Sequence, residues 1–232
     1  VKLPSDKTLV LAMMDVREIV HQETDVLWRK CQANAPDAIG YFQEGSNSAV
    51  AGLANIKGNK PHGPAVLFHT CPQYQRPKPK QYITYENGRW DGVLATWNGR
   101  GQKEFWGNYS NGQRNGFCCL FRDDALITIL ECTRNKAEAV HLVTANEVAR
   151  SWTDVDAALA DTICGPMLRQ VDEIERRMKE EDRELRDRLR NGVQRRVGDL
   201  NRQKRAAASA RGANRAAGNS QAIQGLRRAG GL

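Results

Sequence analysis

The chain has no long apolar run. Near its start the longest uncharged apolar stretch is Leu9 to Met14, with Asp6 before it and Asp15 after it. A membrane-spanning helix needs roughly 20 such residues. No small-residue cleavage site follows the stretch, so no signal peptide is expected. The sequence opens at Val1 without a methionine, which fits a processed form or a piece of a longer chain. Catalytic signatures are missing too. There is no P-loop, no dinucleotide fingerprint, no G-x-S-x-G and no H-E-x-x-H. The expectation is a non-enzymatic protein without a cofactor or metal.

Cysteine is present but not in pairs that bind metal. Cys31, Cys71, Cys118, Cys119, Cys132 and Cys164 include no C-x-x-C, which removes zinc ribbons and thioredoxin-type sites. Reduced thiols in a cytoplasmic protein are expected. Cys118 and Cys119 are adjacent in an expected strand and face opposite sides of it, one thiol in the core and the other exposed. The histidines are His21, His62, His69 and His141. His69-Thr70-Cys71 places two metal-type side chains close together, too few for a site.

Acid is what the C-terminus lacks. From Asn201 onward the charged residues are Arg202, Lys204, Arg205, Arg211, Arg215, Arg227 and Arg228, and they account for all but one unit of the +8 net charge. The segment is rich in Ala, Gly, Asn and Gln and cannot bury enough apolar surface to offset ordering entropy. Residues 199–232 therefore read as a disordered basic tail. It suits nonspecific contact with nucleic acid or an anionic membrane. It has no aromatics, so stacking on single strands is not expected.

What is present is periodic. Tyr85-Glu86-Asn87-Gly88-Arg89-Trp90-Asp91-Gly92 returns 24 residues later as Tyr109-Ser110-Asn111-Gly112-Gln113-Arg114-Asn115-Gly116. Repetition on that scale points to stacked hairpins that bury their faces against neighbours. The pairs Asn87-Gly88, Asn98-Gly99 and Asn111-Gly112 read as tight turns, because both residues tolerate positive φ. Short strands are expected at Val66–Phe68, Val93–Trp97, Phe117–Phe121, Leu126–Leu130 and Ala137–Val143. The aromatics Trp90, Trp97, Trp106 and Tyr109 can stack as cross-strand pairs. Gly92 and Gly116 sit where a side chain would clash or strain the backbone. Asp123-Asp124 reads as a solvated hairpin tip. Pro72 to Pro79, with Arg76, Lys78 and Lys80, reads as a connecting loop.

Helices flank this sheet. Ser5 to Cys31 carries an apolar stripe at Leu9, Met13, Val16, Ile19, Val20, Leu27 and Trp28. Asn146 to Ala160 turns helical near Thr153, and Gly165-Pro166 opens the next helix. Met167 to about Arg190 is the strongest helix. Asp172–Arg176, Glu173–Arg177, Glu175–Lys179, Asp182–Arg186 and Glu184–Arg188 all place acid before base at i,i+4. Its apolar positions Val171, Ile174, Met178, Leu185 and Leu189 are interrupted at Glu181. Three roles are open: a short coiled-coil seam that could pair with itself, a helix laid on the sheet, or a charged helix projecting from the body. The organisation is α+β: an N-terminal helix (1–39), an antiparallel β-meander (40–145), a helical segment (146–198) and the tail (199–232).

Phe105-Trp106-Gly107-Asn108-Tyr109-Ser110-Asn111-Gly112-Gln113-Arg114-Asn115-Gly116 resembles a MORN repeat. The rhythm through Tyr82–Gly92, Trp97–Glu104 and this segment is closest to the bacterial, antitoxin-type variant. The resemblance covers about residues 56–121. The Tyr82 unit departs from the pattern, with Thr84 near the place of its first glycine. The resemblance implies a curved antiparallel sheet used for protein or lipid contact. It implies structural roles for Tyr85, Asn87, Gly88, Gly92, Trp97, Trp106, Gly107, Tyr109, Asn111, Gly112 and Gly116. A protein-interaction or scaffold module is the expectation that follows.

Overall fold

The computed structural model describes residues 17–33, 35–42, 50–69, 78–144, 147–188, 190–191 and 202. Val1–Leu189 and Arg190–Leu232 are separate compact units, and of the second only 190, 191 and 202 are described, all helical. The expected disordered tail otherwise lies outside the described residues, as do the stripe residues before Arg17.

The chain runs α1 (Arg17–Gln32), β1 (Ala38–Phe42), β2 (Val50–Lys57), β3 (Lys60–Phe68), β4 (Pro79–Glu86), β5 (Arg89–Trp97), β6 (Lys103–Ser110), β7 (Gln113–Arg122), β8 (Ala125–Thr133), β9 (Lys136–Thr144), β10 (Glu147–Trp152) and α2 (Val155–Ala160). A further helix, α3, covers residues 164–188. The strands form one ten-stranded sheet whose spatial order is the chain order, every neighbour antiparallel. This is the expected meander in an α+β chain.

Local chemistry builds the hairpins. Both central residues take positive φ at Asn87-Gly88, Asn111-Gly112, Asp123-Asp124, Arg134-Asn135 and Gly58-Asn59, as type I′ turns require. Asn98-Gly99 is different. Neither residue has positive φ, and the left-handed residue of that loop is Gly101. Asn98 Oδ1 accepts from the backbone N–H groups of Arg100 and Gln102. The side chain thus organises a wider loop instead of a two-residue turn.

Two register irregularities recur with the repeat. At one end of the strands a single extra residue bulges out in β4, β6 and β8: Lys80, Glu104 and Ile127. At the other end Asn55, Thr84 and Asn108 each oppose a three-residue segment centred on Gly63, Gly92 or Gly116. Those three glycines all have positive φ.

The two sheet faces are dressed differently. On one, Val20 and Leu27 of α1 join a core with Leu53, Val66, Trp97, Trp106, Cys119 and Ile129. Trp28, expected on the same stripe, is 39% exposed, because one step past Leu27 turns it about 100° off the buried face. On the other face lies α3. Thr128 and Ile129 are adjacent in β8, so they point to opposite sides. Thr128 hydrogen-bonds Met167 of α3, whereas Ile129 sits in the α1 core.

Successive turns of α3 meet β8 through Met167, β7 through Asp172 and Glu175, β6 through Arg177, and β4 through Glu181 and Asp182. From Met167 to Asp182 a helix advances roughly 22 Å, close to the roughly 19 Å between β8 and β4. The helix therefore crosses the strands nearly at right angles. Leu168, Val171, Ile174, Met178 and Leu185 are all buried. At about 1.5–3 kcal/mol per side chain this burial dominates the helix's stability. Of the roles left open, the structure selects a helix laid on its own sheet; a projecting helix or an exposed self-pairing seam is excluded for this apolar face.

Expectations for the join between sheet and helix need correcting. Residues 147–152, expected as helix, form β10 on the open edge of β9. Only Val155–Ala160 is helical there, and its cap is Asp154, whose carboxylate accepts from the N–H groups of Asp156 and Ala157. Lys80, expected in a loop, belongs to β4. Among the described residues no helix is long and apolar enough to cross a membrane.

Candidate functional site

The repeat aromatics Tyr85, Trp97, Trp106 and Tyr109 are buried, whereas Asn87, Gly92, Asn111 and Gly116 lie at the surface. Gly63, Gly92 and Gly116 face Tyr85, Tyr109 and Cys132 on the following strand, so each glycine lies beneath the next unit's anchor side chain. A Cβ on Gly92 would sit 2.6 Å from Thr84 Oγ1, whereas one on Gly116 would meet Asn108 at an ordinary 3.5 Å. Gly92 thus avoids both clash and strain, and Gly116 avoids strain alone. Gly107 has ordinary φ, but its Cβ would lie 2.8 Å from the Phe105 ring. Trp90 and Tyr109 pack edge to face at 5.2 Å, the expected cross-strand aromatic pair. Trp97 and Trp106 are buried on the α1 face.

The turns form a continuous polar rim. Gly88 N–H donates to Pro61 O, Gly112 N–H to Trp90 O, and Asn135 N–H to Arg114 O, so each turn is tied to the preceding hairpin. Side chains add further ties. Asn111 N–H donates to Asp91 Oδ2, Arg114 N–H to Asn135 Oδ1, and Arg89 Nη1 to Asn111 Oδ1. Lys57, Asn59, Lys60, Asn87, Arg89, Asn111, Gln113, Arg134 and Lys136 are exposed along this rim. The opposite end is also stapled. Gln102 Nε2 and Lys103 N–H donate to Asp123 and Asp124. That aspartate pair therefore ties one hairpin to its neighbour and is not merely a solvated tip.

Beneath α3 lies a buried polar node. Arg114 Nε is 2.9 Å from Glu175, which is also held by Lys179 at 2.7 Å. Arg114 reaches Asp172 as well, at 3.1 Å. Tyr109 adjoins this node, and burial, then the Glu175 carboxylate, pushes its phenol well above the ordinary value. Cys118 and Cys119 are both fully buried. The expected exposed thiol does not exist, because both faces of β7 are covered. Cys118 hydrogen-bonds Cys132, which raises the Cys118 thiol and lowers that of Cys132, with the Arg114 guanidinium pulling Cys132 further down.

Tertiary contacts redirect the helix charges. Glu175–Lys179, Asp182–Arg186 and Glu184–Arg188 pair as expected. Asp172 instead turns to Arg114, and Arg177 to Glu104 at 2.8 Å. Glu181, expected as an interruption, takes Lys80 at 2.7 Å. Two of the bulged residues, Lys80 and Glu104, thus add to the grip on α3. With His69 and Thr96 these pairs line a cleft of about 150 Å³. His69 Nε2 lies 2.8 Å from Trp97 O. Among the described residues no group of three His, Cys, Asp or Glu side chains could hold a metal.

Of the expected tail contacts only Arg202 is described, exposed and helical. Lys204, Arg205, Arg211, Arg215, Arg227 and Arg228 lie outside the described residues. In comparisons with known proteins, no family model matches the chain and no curated protein matches it.

Proposed function

We propose that the protein is a non-enzymatic interaction module that presents the turn rim to a protein partner. The observation that carries this reading is the rim itself. Its turns are cross-tied by hydrogen bonds between successive hairpins, so its exposed side chains are held in a repeating order before any partner arrives. Such preorganisation lowers the entropic cost of association. The reading includes a MORN-like, antitoxin-type identity for the hairpins, supported by the recurrence of turn, glycine and opposing anchor. It also includes a reducing cytoplasmic setting, supported by the buried unpaired thiols of Cys118, Cys119, Cys132 and Cys164.

A second reading places nonspecific nucleic-acid or anionic-membrane contact in the tail, on the strength of its seven basic residues and no acid. One experiment separates the two. The full chain, a chain ending at Leu200 and the rim variant Arg89→Glu/Arg134→Glu are used as baits, with and without nuclease. The interaction reading expects a protein held by both lengths, resistant to nuclease and lost from the rim variant. Capture that needs the tail and disappears with nuclease overturns it in favour of the second reading.

A further inference from the structure

We propose that Ser151 is an activated nucleophile that accepts an acyl group from small activated esters. Glu131, His141 and Ser151 come from three successive strands, β8, β9 and β10. His141 Nδ1 lies 2.8 Å from Ser151 Oγ, and His141 Nε2 lies 2.9 Å from Glu131 Oε1. An ionised carboxylate can only accept, so in the neutral imidazole the ring proton sits on Nε2. Nδ1 is then left to accept the Ser151 hydroxyl proton. A hydroxyl nucleophile, a base within reach and a third group orienting the base are the elements of an activated serine. The ring is used in the opposite sense from serine proteases, where the serine meets Nε2. The relay of proton contacts is otherwise the same.

The register shows how the arrangement arises. Val148 pairs with Val143 but Arg150 pairs with Leu142, so Ala149 bulges out of β10. The bulge brings Ser151 opposite His141. Without that extra residue Arg150 would take the place, and the imidazole would have a cation beside it instead of a hydroxyl. Bulges at sheet edges commonly re-aim side chains in this way. Access is open: Ser151 is exposed, the Glu131 side chain is 41% exposed and the His141 side chain 15%.

The step is an acyl transfer. Ser151 Oγ forms a bond to the acyl carbon as its proton passes to His141 Nδ1. The bond between acyl carbon and leaving oxygen breaks, and the leaving alkoxide or phenoxide departs with the electron pair. The open sheet surface gives the leaving group no enclosing pocket, so the donor has to carry a good leaving group of its own. The product is one covalent acyl mark per chain. The inference goes beyond the interaction reading and stands independently of it.

The test incubates the full-length protein with p-nitrophenyl acetate, follows nitrophenol release, and maps acetylated peptides by mass spectrometry. The expected result is a stoichiometric burst with acetyl on Ser151. Ser151→Ala should abolish that mark. His141→Asn should slow it by about 100-fold or more, the usual scale of general-base assistance. Glu131→Gln should slow it by roughly 10-fold while leaving the thermal melt unchanged, a loss of rate that a merely structural partner of His141 would not produce. Acetylation of wild-type protein elsewhere with Ser151 unmodified overturns the proposal. So does a folded His141→Asn protein that labels Ser151 at the wild-type rate.

Discussion

Tyr85 of β4 donates its phenolic proton to Asp182 of α3 at 2.6 Å, across 97 residues of sequence. The same carboxylate takes Arg186 at 2.6 Å, and Arg186 lies 5.9 Å over the Tyr85 ring. Tyrosine, aspartate and arginine thus close a small loop where the seam of α3 would otherwise carry an unsatisfied charge.

Tyr85→Phe keeps the ring and removes the donor. The expected loss is about 1.5–3 kcal/mol, the scale for a hydrogen bond to a charged group. Urea unfolding measures it. In an Asp182→Asn background the same change should cost less, and equal costs in both backgrounds would disconnect the pair.

Arg114→Met should be more severe. It leaves Glu175 buried with only Lys179 as partner, and breaking such a pair costs about 3–5 kcal/mol. Replacing both residues, as Arg114→Met/Glu175→Leu, should recover most of the loss, because the charges left behind, Asp172 and Lys179, face solvent and none stays buried without a partner. Midpoints of chemical denaturation decide between these outcomes.

Gly92 and Gly112 separate clash from strain. Both have positive φ, but a Cβ on Gly112 meets nothing within 4 Å, whereas one on Gly92 meets Thr84 Oγ1. Gly112→Ala should cost about 1–2 kcal/mol and Gly92→Ala about 2–3 kcal/mol. In a Thr84→Ala background the Gly92 substitution should fall to the Gly112 level. Thermal melts of the four variants test this.

Alkali should destabilise the protein through the half-buried Tyr82 and the buried Cys119, alongside the raised Tyr109 and Cys118. Burial, with Glu23 nearby, pushes the Tyr82 phenol from 10.0 up to about 12, and burial pushes the Cys119 thiol from 9.0 to about 12. The unfolded chain ionises at the lower values while the folded chain stays protonated. Stability is therefore full below about pH 9 and falls as pH rises through about 12. Tyr82→Phe should flatten the upper part of that decline in urea melts taken across this range.

The sequence determined whatever depends on near neighbours. Asn87-Gly88 and Asn111-Gly112 turn as read, because the conformation is a property of the dipeptide. The glycines at 92 and 116 mark left-handed backbone for the same reason, and the 3.6-residue period of the Val171–Leu185 face specifies a helix before it has a partner. Asn98-Gly99 shows the limit: the same dipeptide forms a wider loop once the Asn98 side chain caps the backbone beyond it. Tertiary structure decided everything that depends on what lies across a gap. It chose the chain's own sheet as the partner of α3 and drew Asp172 and Arg177 away from their i+4 partners. It covered both sides of β7, burying Cys118 and Cys119 alike, and its one-residue bulge at Ala149 set Ser151 against His141. The physical reason is range: φ preferences and helical period act within a few residues, whereas burial and charge pairing answer to neighbours that only the folded sheet brings together.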